Sequence, residues 1–255
     1  MGIFKTEFIH KKKDDGILEL VKHENFNNFN EKILELGDIT EESRPVNCIS
    51  VMFDLEGFTN FCKQIDPHLA VPEYLSEFLI WIFSTLKEEL TKEKHEEGVE
   101  VWANPAFLTK FLGDGLLFLW DSSNMNKAEI HNVVVSMHNV CEEYSKKFYP
   151  NVSKKIINPP SKLRCGIARG LVYSVGNGND FVGPCINMSA RLQKLHTLSF
   201  SFSKRGFDPS SMSKKYKELF ITKEVDIRGI GEKELVCILK SEFDNLDRNT
   251  RKFFS

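Results

Sequence analysis

The sequence predicts one α/β domain that follows a short helical N-terminal segment, and three patterns indicate it. The run VNCISVMFDL, residues 46–55, is almost continuously apolar and predicts a strand covered on both faces. Two long stretches, which begin near Val71 and near Lys127, repeat their apolar residues at helical spacing. Between them, two apolar runs flank the Gly-Asp-Gly of residues 113–115, which is typical of a β-hairpin. We therefore expect a sheet with helices packed against it.

The other elements follow from the same periodicities. In chain order they are one or two short helices over 14–38, a short helix over 59–65, a long helix over 71–96 with a proline in its first turn, a helix over 127–148, a strand pair over 162–176 and a helix over 186–195. From residue 198 onward, short strand-like runs alternate with polar turns. The predicted organisation is an N-terminal extension (1–45), the α/β domain (46–240) and a C-terminal tail (241–255).

The composition limits the classes of function. With 255 residues, 41% of them hydrophobic, the chain can form a substantial core. A formal charge of -2, with lysines and glutamates interleaved, argues against binding nucleic acid by bulk electrostatics. No continuous apolar run reaches the roughly 18 residues of a membrane span, so we expect a cytoplasmic protein without a membrane partner. The six cysteines are scattered, without metal spacing, and predict reduced, packed thiols.

Two aspartates stand at predicted strand ends. Asp54 ends the first strand and Asp114 lies in the hairpin turn, so neighbouring strand ends would bring both to one edge of the sheet. Two such carboxylates repel each other unless a cation lies between them, and Mg²⁺ suits a site of carboxylates, phosphate oxygens and water. Gly57, followed by Phe58 and Thr59, would let backbone N–H groups approach a phosphate. Taken singly, Asp54 also fits a helix cap and Asp114 an ordinary turn.

Three blocks, in this order, resemble the signature of the class III nucleotide cyclase catalytic domain: VMFDLEGFT (51–59), KFLGDG (110–115) and VGPCINMSARL (182–192). The resemblance runs from about residue 46 to 239. It implies a ferredoxin-like fold with a central, mostly antiparallel sheet flanked by helices. It also implies a phosphorus–oxygen lyase that uses two divalent cations, Mg²⁺ or Mn²⁺, to convert a nucleoside triphosphate into a 3',5'-cyclic nucleotide and pyrophosphate.

The resemblance assigns roles to particular residues. Asp54 and Asp114, with the backbone carbonyl of Leu55, would bind the two cations. Asn187 and Arg191 would contact the ribose and the phosphate. They lie four residues apart, which is about one helical turn, so both side chains face one site.

The reaction explains these residue types. The ribose 3'-hydroxyl attacks the α-phosphorus in line, pyrophosphate leaves, and charge accumulates on the phosphate oxygens. A permanently charged, planar guanidinium at Arg191 suits that charge, and Asn187 can hold the ribose in its reactive pose. A lone arginine would more often form a surface salt bridge. Arg228, in IRGIGEKE, resembles the position of a triphosphate-binding lysine in many relatives.

In this family the active sites form between two catalytic domains arranged head to tail. Since this chain carries both the aspartates and the asparagine–arginine pair, the resemblance implies a homodimer with two composite sites and a nearly inactive monomer. We recognise no sensor, receiver or membrane module outside the domain, and we expect control by a partner, a ligand or the N-terminal segment.

The choice of base is open between adenine and the pyrimidines. By resemblance, Lys110 and Asp180 read the base, a pair expected of adenylate cyclases. Lysine donates and aspartate accepts, so they read an edge with an acceptor beside an amino donor, which adenine and cytosine both present and uracil presents in reverse order. Guanine is disfavoured. The phenylalanines Phe181, Phe111 and Phe107 would narrow the pocket.

Two segments, 173–195 and 198–208, resemble the stand-alone pyrimidine cyclases of bacterial antiphage systems of the Pycsar type, which make cyclic CMP or cyclic UMP for an effector protein. We therefore expect CTP or UTP as the substrate and a downstream effector as a partner. An adenylate cyclase is the alternative. A catalytically inactive nucleotide-binding module of the same fold is the second alternative.

Overall fold

A computed structural model of the protein describes residues 10–12 and 19–255, which form two compact units. The large unit contains residues 45–172 and 183–255. The small unit contains the described residues up to Arg44, together with Tyr173–Val182. Part of the helix predicted over 14–38, residues 14–18, lies outside the described residues.

The secondary structure of the described residues alternates strands and helices. The strands are β1 (His10–Lys12), β2 (Glu19–Val21), β3 (Pro45–Glu56), β4 (Thr91–Lys94), β5 (Val99–Val101), β6 (Leu108–Phe111), β7 (Gly115–Asp121), β8 (Lys162–Val175), β9 (Asp180–Val182), β10 (Phe200–Ser203), β11 (Phe220–Ile227) and β12 (Gly231–Leu239). The α-helices are α1 (His23–Asn27), α2 (Phe58–Phe61), α3 (Pro67–Leu90), α4 (Lys127–Glu143), α5 (Tyr149–Val152), α6 (Pro184–Leu192), α7 (Lys214–Lys217), α8 (Lys240–Asp244) and α9 (Arg248–Arg251). Two 3₁₀ helices, Glu31–Leu34 and Pro209–Ser211, and a π-helical turn, Tyr144–Phe148, are also present.

The large unit is built on a sheet with the strand order β11-β12-β10-β8-β3-β7-β6. Strands β8 and β10 pair in parallel. The pairs β10–β12, β11–β12, β3–β7 and β6–β7 are antiparallel. The sheet is therefore mixed and mostly antiparallel, as the sequence predicts.

Helices cover both faces of the central strand β3. Its residues Ile49, Val51 and Phe53 join the main hydrophobic core, to which α3 and α4 contribute many side chains. The alternate residues point to the opposite face, where the hydroxyl of Ser50 bonds that of Ser189 on α6 at 2.7 Å. Burial is continuous from Cys48 to Leu55, which confirms a strand covered on both sides.

Helix α3 begins and ends earlier than the sequence predicts. Pro67, not Pro72, lies in its first turn, and Pro72 is inside the helix. The helix ends at Leu90, because the residues that follow turn back as the β4–β5 hairpin. By length and composition alone, α3 is long and apolar enough to cross a membrane. The search of the sequence for an unbroken apolar run did not find it, because polar residues interrupt this helix. Six of its side chains are nevertheless buried within the protein.

The strand pair predicted over 162–176 is instead one long strand, β8. The sequence suggests a turn because glycines interrupt the apolar run. In the structure, Gly166 instead allows α6 to pack closely against β8. A Cβ there would lie 2.2 Å from the backbone oxygen of Ser189 and 2.3 Å from the backbone nitrogen of Gln193. Only a glycine lets α6 lie this close to the strand.

The described part of the small unit contains only short helical elements. Its described N-terminal part holds the antiparallel pair β1–β2, the five-residue helix α1 and one 3₁₀ turn. Strand β9 pairs with the end of β8, with Ser174 opposite Phe181. Long-range hydrogen bonds join the two segments, including one from the Asp38 amide to Asn177 Oδ1 at 2.9 Å. Among the described residues of this unit, the apolar Phe26 on α1 and Leu34 on the 3₁₀ turn are exposed.

Candidate active site

One cavity of about 500 Å³ in the large unit collects polar residues from β3, from the β6–β7 turn and from α6. We call it the Asp54 cavity. Its charged and amide-bearing lining residues are Asp54, Asp114, Asn187, Arg191, Gln193 and Lys194. Four predicted site residues, the two aspartates and the asparagine–arginine pair, therefore line one cavity.

The two aspartates meet because their strands are neighbours. Strands β3 and β7 pair from Cys48 opposite Asp121 down to Asp54 opposite Gly115. The Leu55 amide then donates to the Asp114 carbonyl at 2.9 Å, which places the hairpin turn directly beside the end of β3. The predicted hairpin is confirmed, and it brings both carboxylates to one sheet edge.

Asp54 is almost fully buried, with 4% of its surface exposed, and its charge is compensated by the chain. Arg164 on β8 donates to Asp54 Oδ2 through Nε, at 3.1 Å, and through Nη2. The ammonium of Lys194 lies 3.6 Å from the other oxygen, Oδ1. A buried carboxylate requires such partners. Asp54 is not the cap of α2, because that position belongs to Gly57.

Arg164 is a site residue that sequence reasoning missed. It lies on β8 between Leu163 and Cys165, both of which are buried. A charged residue between buried neighbours needs a charged partner. This feature of the sequence could have indicated that Arg164 forms an ion pair. Its partner Asp54 is 110 positions away in sequence, which local patterns do not reveal.

The cluster of charged side chains around Asp54, which contains Arg164 and Lys194, extends to Glu56 at the end of β3. Its carboxylate lies 3.6 Å from Lys162 Nζ and 3.8 Å from Arg164 Nη1. Arg164 therefore bridges two carboxylates, Asp54 and Glu56, and is held from both sides.

Asn187 and Arg191 lie one turn apart on α6, as predicted, and both line the Asp54 cavity. Pro184 occupies the first turn of this helix, a position that suits proline. The Ser50–Ser189 hydrogen bond and the close approach at Gly166 fix α6 against the sheet. The position of the Asn187–Arg191 pair is thus set by the backbone of the large unit.

The predicted phosphate-binding residues lie elsewhere. Gly57 has a left-handed backbone, with φ 83°, and lines a separate cavity of about 400 Å³. Phe58 packs against the hydrophobic core and Thr59 is exposed. Arg228 is exposed in the β11–β12 turn, and the next two residues, Gly229 and Ile230, line the Asp54 cavity. Phosphate contacts by these residues stay predictions, as does the Leu55 carbonyl as a metal ligand.

The residues predicted to read the base belong to different units. Lys110 lies half-buried on β6, opposite Leu117, and Phe107 and Phe111 flank it with 46% and 50% exposure. Asp180 and Phe181 belong to the small unit, where the Phe181 amide donates to Asp180 Oδ1 at 2.7 Å. The predicted Lys110–Asp180 pair stays a prediction.

The residues at the Asp54 cavity fit divalent cations of the hard type. Two carboxylates at adjacent strand ends supply oxygen ligands, which Mg²⁺ and Mn²⁺ prefer. None of the six cysteines lines the Asp54 cavity.

No protein-family model and no curated protein matches this sequence. Solved structures match its fold. The adenylyl cyclase CyaB from P. aeruginosa aligns with a TM-score of 0.58 and 14% identity, over 82% of this chain and 98% of that one. A bacterial light-regulated adenylyl cyclase aligns with a TM-score of 0.50 and 14% identity, over 91% of this chain and 66% of that one. The chain therefore has the fold of a class III cyclase domain, as the sequence predicts.

Proposed function

We propose that the protein is a nucleotide cyclase that converts a nucleoside triphosphate into a 3',5'-cyclic nucleotide and pyrophosphate. One observation carries this proposal: Asp54 and Asp114, from neighbouring strand ends, share a cavity with Asn187 and Arg191, one turn apart on α6. This set provides anionic ligands for cations and neutral and cationic donors for a ribose and a phosphate. The likeness to adenylyl cyclases supports the fold, and the chemistry is inferred from these four residues.

Two divalent cations, Mg²⁺ or Mn²⁺, are part of the proposal, with Asp54 and Asp114 as the residues that would hold them. When bound, such cations neutralise triphosphate charge and lower the pKa of the attacking hydroxyl. Arg164 orients the Asp54 carboxylate through its two N–H donors.

The remaining residues bind and orient the substrate. The Asn187 amide can donate to and accept from ribose hydroxyls, which holds the 3'-oxygen toward the α-phosphorus. The planar guanidinium of Arg191 can donate two parallel hydrogen bonds to phosphate oxygens as their charge grows. Both act from a helix that the sheet holds rigidly, so little reorganisation is needed during the reaction.

We infer that the substrate is a pyrimidine nucleotide, CTP or UTP, and that its product signals to an effector protein in antiphage defence. The support is the sequence resemblance of residues 173–195 and 198–208. The predicted Lys110–Asp180 pair disfavours guanine but fits adenine and the pyrimidines alike, and Phe181 would narrow the pocket. ATP is the second candidate, because the two solved structures described above are named adenylyl cyclases. We also propose, as the alternative to a site formed by one chain, a head-to-tail homodimer in which the Asn187–Arg191 pair of one copy completes the aspartates of the other.

The test is direct product analysis. Purified protein is incubated separately with ATP, GTP, CTP and UTP, each with Mg²⁺ or Mn²⁺, and the products are separated by chromatography. We expect cyclic CMP or cyclic UMP, with GTP the poorest substrate. Cyclic AMP alone would replace the pyrimidine assignment by the second candidate. No cyclic product from any nucleotide would overturn the cyclase proposal.

Two substitutions test the base assignment separately. Phe181→Ala should raise ATP use relative to the pyrimidine nucleotide, because a deeper pocket removes a steric penalty. Asp180→Ala should weaken discrimination among all four bases, because the site loses a polar partner that penalises the wrong edge. The measurement is kcat/KM for each nucleotide. Unchanged ratios in both variants would remove these residues from the base site.

A further inference from the structure

Both carboxylate oxygens of Asp54 are covered by cationic side chains. Arg164 donates to Oδ2 and the Lys194 ammonium lies 3.6 Å from Oδ1. The carboxylate is buried, so a metal ion from solution that is to reach Asp54 must displace one of these two groups.

Of these two groups, Lys194 is the one that a metal ion displaces from Asp54. It makes a single point contact with Asp54, and its side chain is 58% exposed. Arg164 makes two N–H contacts with Asp54, lies 3.8 Å from Glu56 and has a side chain only 16% exposed. A partly buried, two-pronged guanidinium pair is held more firmly than a solvated ammonium on a flexible stem.

The released ammonium still faces the cavity. Lys194, two residues beyond the end of α6, lines the Asp54 cavity together with Asn187 and Arg191. Once a cation neutralises Asp54, the remaining unbalanced negative charge is that of a bound triphosphate, and an ammonium binds phosphate oxygens well.

We propose that Lys194 exchanges partners when substrate binds: it pairs with Asp54 in the cation-free protein and with the triphosphate once a divalent cation occupies Asp54. This inference rests on the proposed function. In the cation-free protein the Lys194 ammonium thus neutralises Asp54 in place of the cation. In the cation-bound protein it binds the phosphate groups of the substrate.

The proposal predicts two opposite effects of one substitution. In Lys194→Met, Mn²⁺ should bind more tightly, because it no longer competes with an internal ammonium. Triphosphate should bind more weakly, because a positive contact is lost. If Lys194 had only a structural role, its substitution would weaken the binding of both Mn²⁺ and triphosphate, or of neither. Lys194→Arg keeps the charge and should restore triphosphate binding.

Lys162→Met is the matched control. Lys162 also pairs with a carboxylate at this sheet edge, 3.6 Å from Glu56, but it does not line the Asp54 cavity. It therefore reports the effect of removing one lysine charge from the same region.

The binding measurements use the full chain without nucleotide. Free Mn²⁺ is counted by electron paramagnetic resonance, and inorganic triphosphate binding is measured by calorimetry at fixed, saturating Mn²⁺. All variants carry His95→Ala, because Glu93, His95 and Glu100 form an exposed cluster on the β4–β5 hairpin that could also take a metal ion.

We expect Lys194→Met to tighten Mn²⁺ binding roughly threefold to tenfold and to weaken triphosphate binding by a similar factor. Lys162→Met should change neither by more than about twofold. If Lys194→Met matches Lys162→Met in either measurement, the partner exchange is wrong.

An Asp54→Asn isotherm separates this failure from that of the proposed function. If Mn²⁺ binding depends on Asp54 but not on Lys194, the partner exchange alone is wrong. If Mn²⁺ binding is the same with and without the Asp54 carboxylate, both the cation site and the exchange are overturned.

Discussion

At the scale of single residues, Asp54 shows what local sequence can and cannot predict. Its place after a buried strand and the Asp-Gly signal at Asp114 are local features, and they predicted correctly that the two carboxylates meet at one sheet edge. Its ion pairs with Arg164 and Lys194 join positions more than a hundred residues apart. Such contacts depend on strand order, which periodicity does not determine.

The aspartates give the simplest prediction. Asp54→Ala and Asp114→Ala should each abolish cyclic product, because one remaining carboxylate cannot position two cations. The measurement is product formation at saturating nucleotide, with circular dichroism to confirm that each variant is folded. A folded variant that keeps activity would contradict the metal assignment.

Arg191 tests the phosphate contact. Arg191→Ala should lower kcat by about 10²–10³-fold, the usual cost of losing one donor to transition-state charge. Arg191→Lys should recover only part of this loss, because lysine keeps the charge without the planar fork. Steady-state kinetics give the split between kcat and KM. A change confined to KM would make Arg191 a ground-state binding residue instead.

At the scale of elements, β8 was predicted as two strands because its glycines resemble turn residues. The structure shows that Gly166 is needed for contact with α6, the helix of Asn187 and Arg191. A glycine within a strand-like run can mark a turn or a close contact with a neighbouring element, and only the position of the packed helix decides between these two roles.

Gly166→Ala should therefore destabilise the protein by about 1–3 kcal/mol or more and lower activity, because the added methyl group forces α6 away from β8. Gly98→Ala is the control, since a Cβ there meets nothing within 4 Å. Urea unfolding gives the stability of both variants. Equal stability of the two would show that α6 can shift without cost.

His138 on α4 predicts a pH dependence of stability. Its ring is buried, edge-on to Phe200 and Phe220, and burial lowers its pKa below the ordinary value of 6.5. The folded state favours the neutral ring, so the stabilisation is complete above pH 6.5 and is lost as the pH falls through the lower folded pKa.

The free energy of unfolding of the wild type should therefore fall more steeply below pH 6.5 than that of His138→Gln. Urea titrations at several pH values measure both slopes. His131, whose pKa burial also lowers, is present in both proteins and cancels in the comparison. Parallel slopes would mean that His138 titrates normally.

At the scale of the whole molecule, the sequence predicted an N-terminal extension separate from the α/β domain. In the structure, the described residues before Pro45 form one small unit with Tyr173–Val182, and the bounds of the extension, the domain and the tail stay predictions. The link is a set of hydrogen bonds such as that between Asp38 and Asn177, 139 positions apart. No composition change marks this grouping in the sequence.

Mixing two inactive variants tests the proposed homodimer. Asp54→Ala and Arg191→Ala, combined in equal amounts, should recover about a quarter of wild-type activity, because half the dimers are mixed and each has one intact composite site. Subunit exchange is verified with differently tagged chains. No recovery despite exchange would place the active site within one chain, whose own residues already line the Asp54 cavity together.

The central claim is that the Asp54 cavity cyclises a nucleoside triphosphate. It is tested most directly by following an α-phosphate label from each of the four nucleotides, with pyrophosphate counted in the same reaction. We predict one labelled 3',5'-cyclic nucleotide per pyrophosphate released, and none of either from Asp54→Ala. Label recovered only as linear mono- or diphosphate, or equal cyclic product from Asp54→Ala, would contradict the claim.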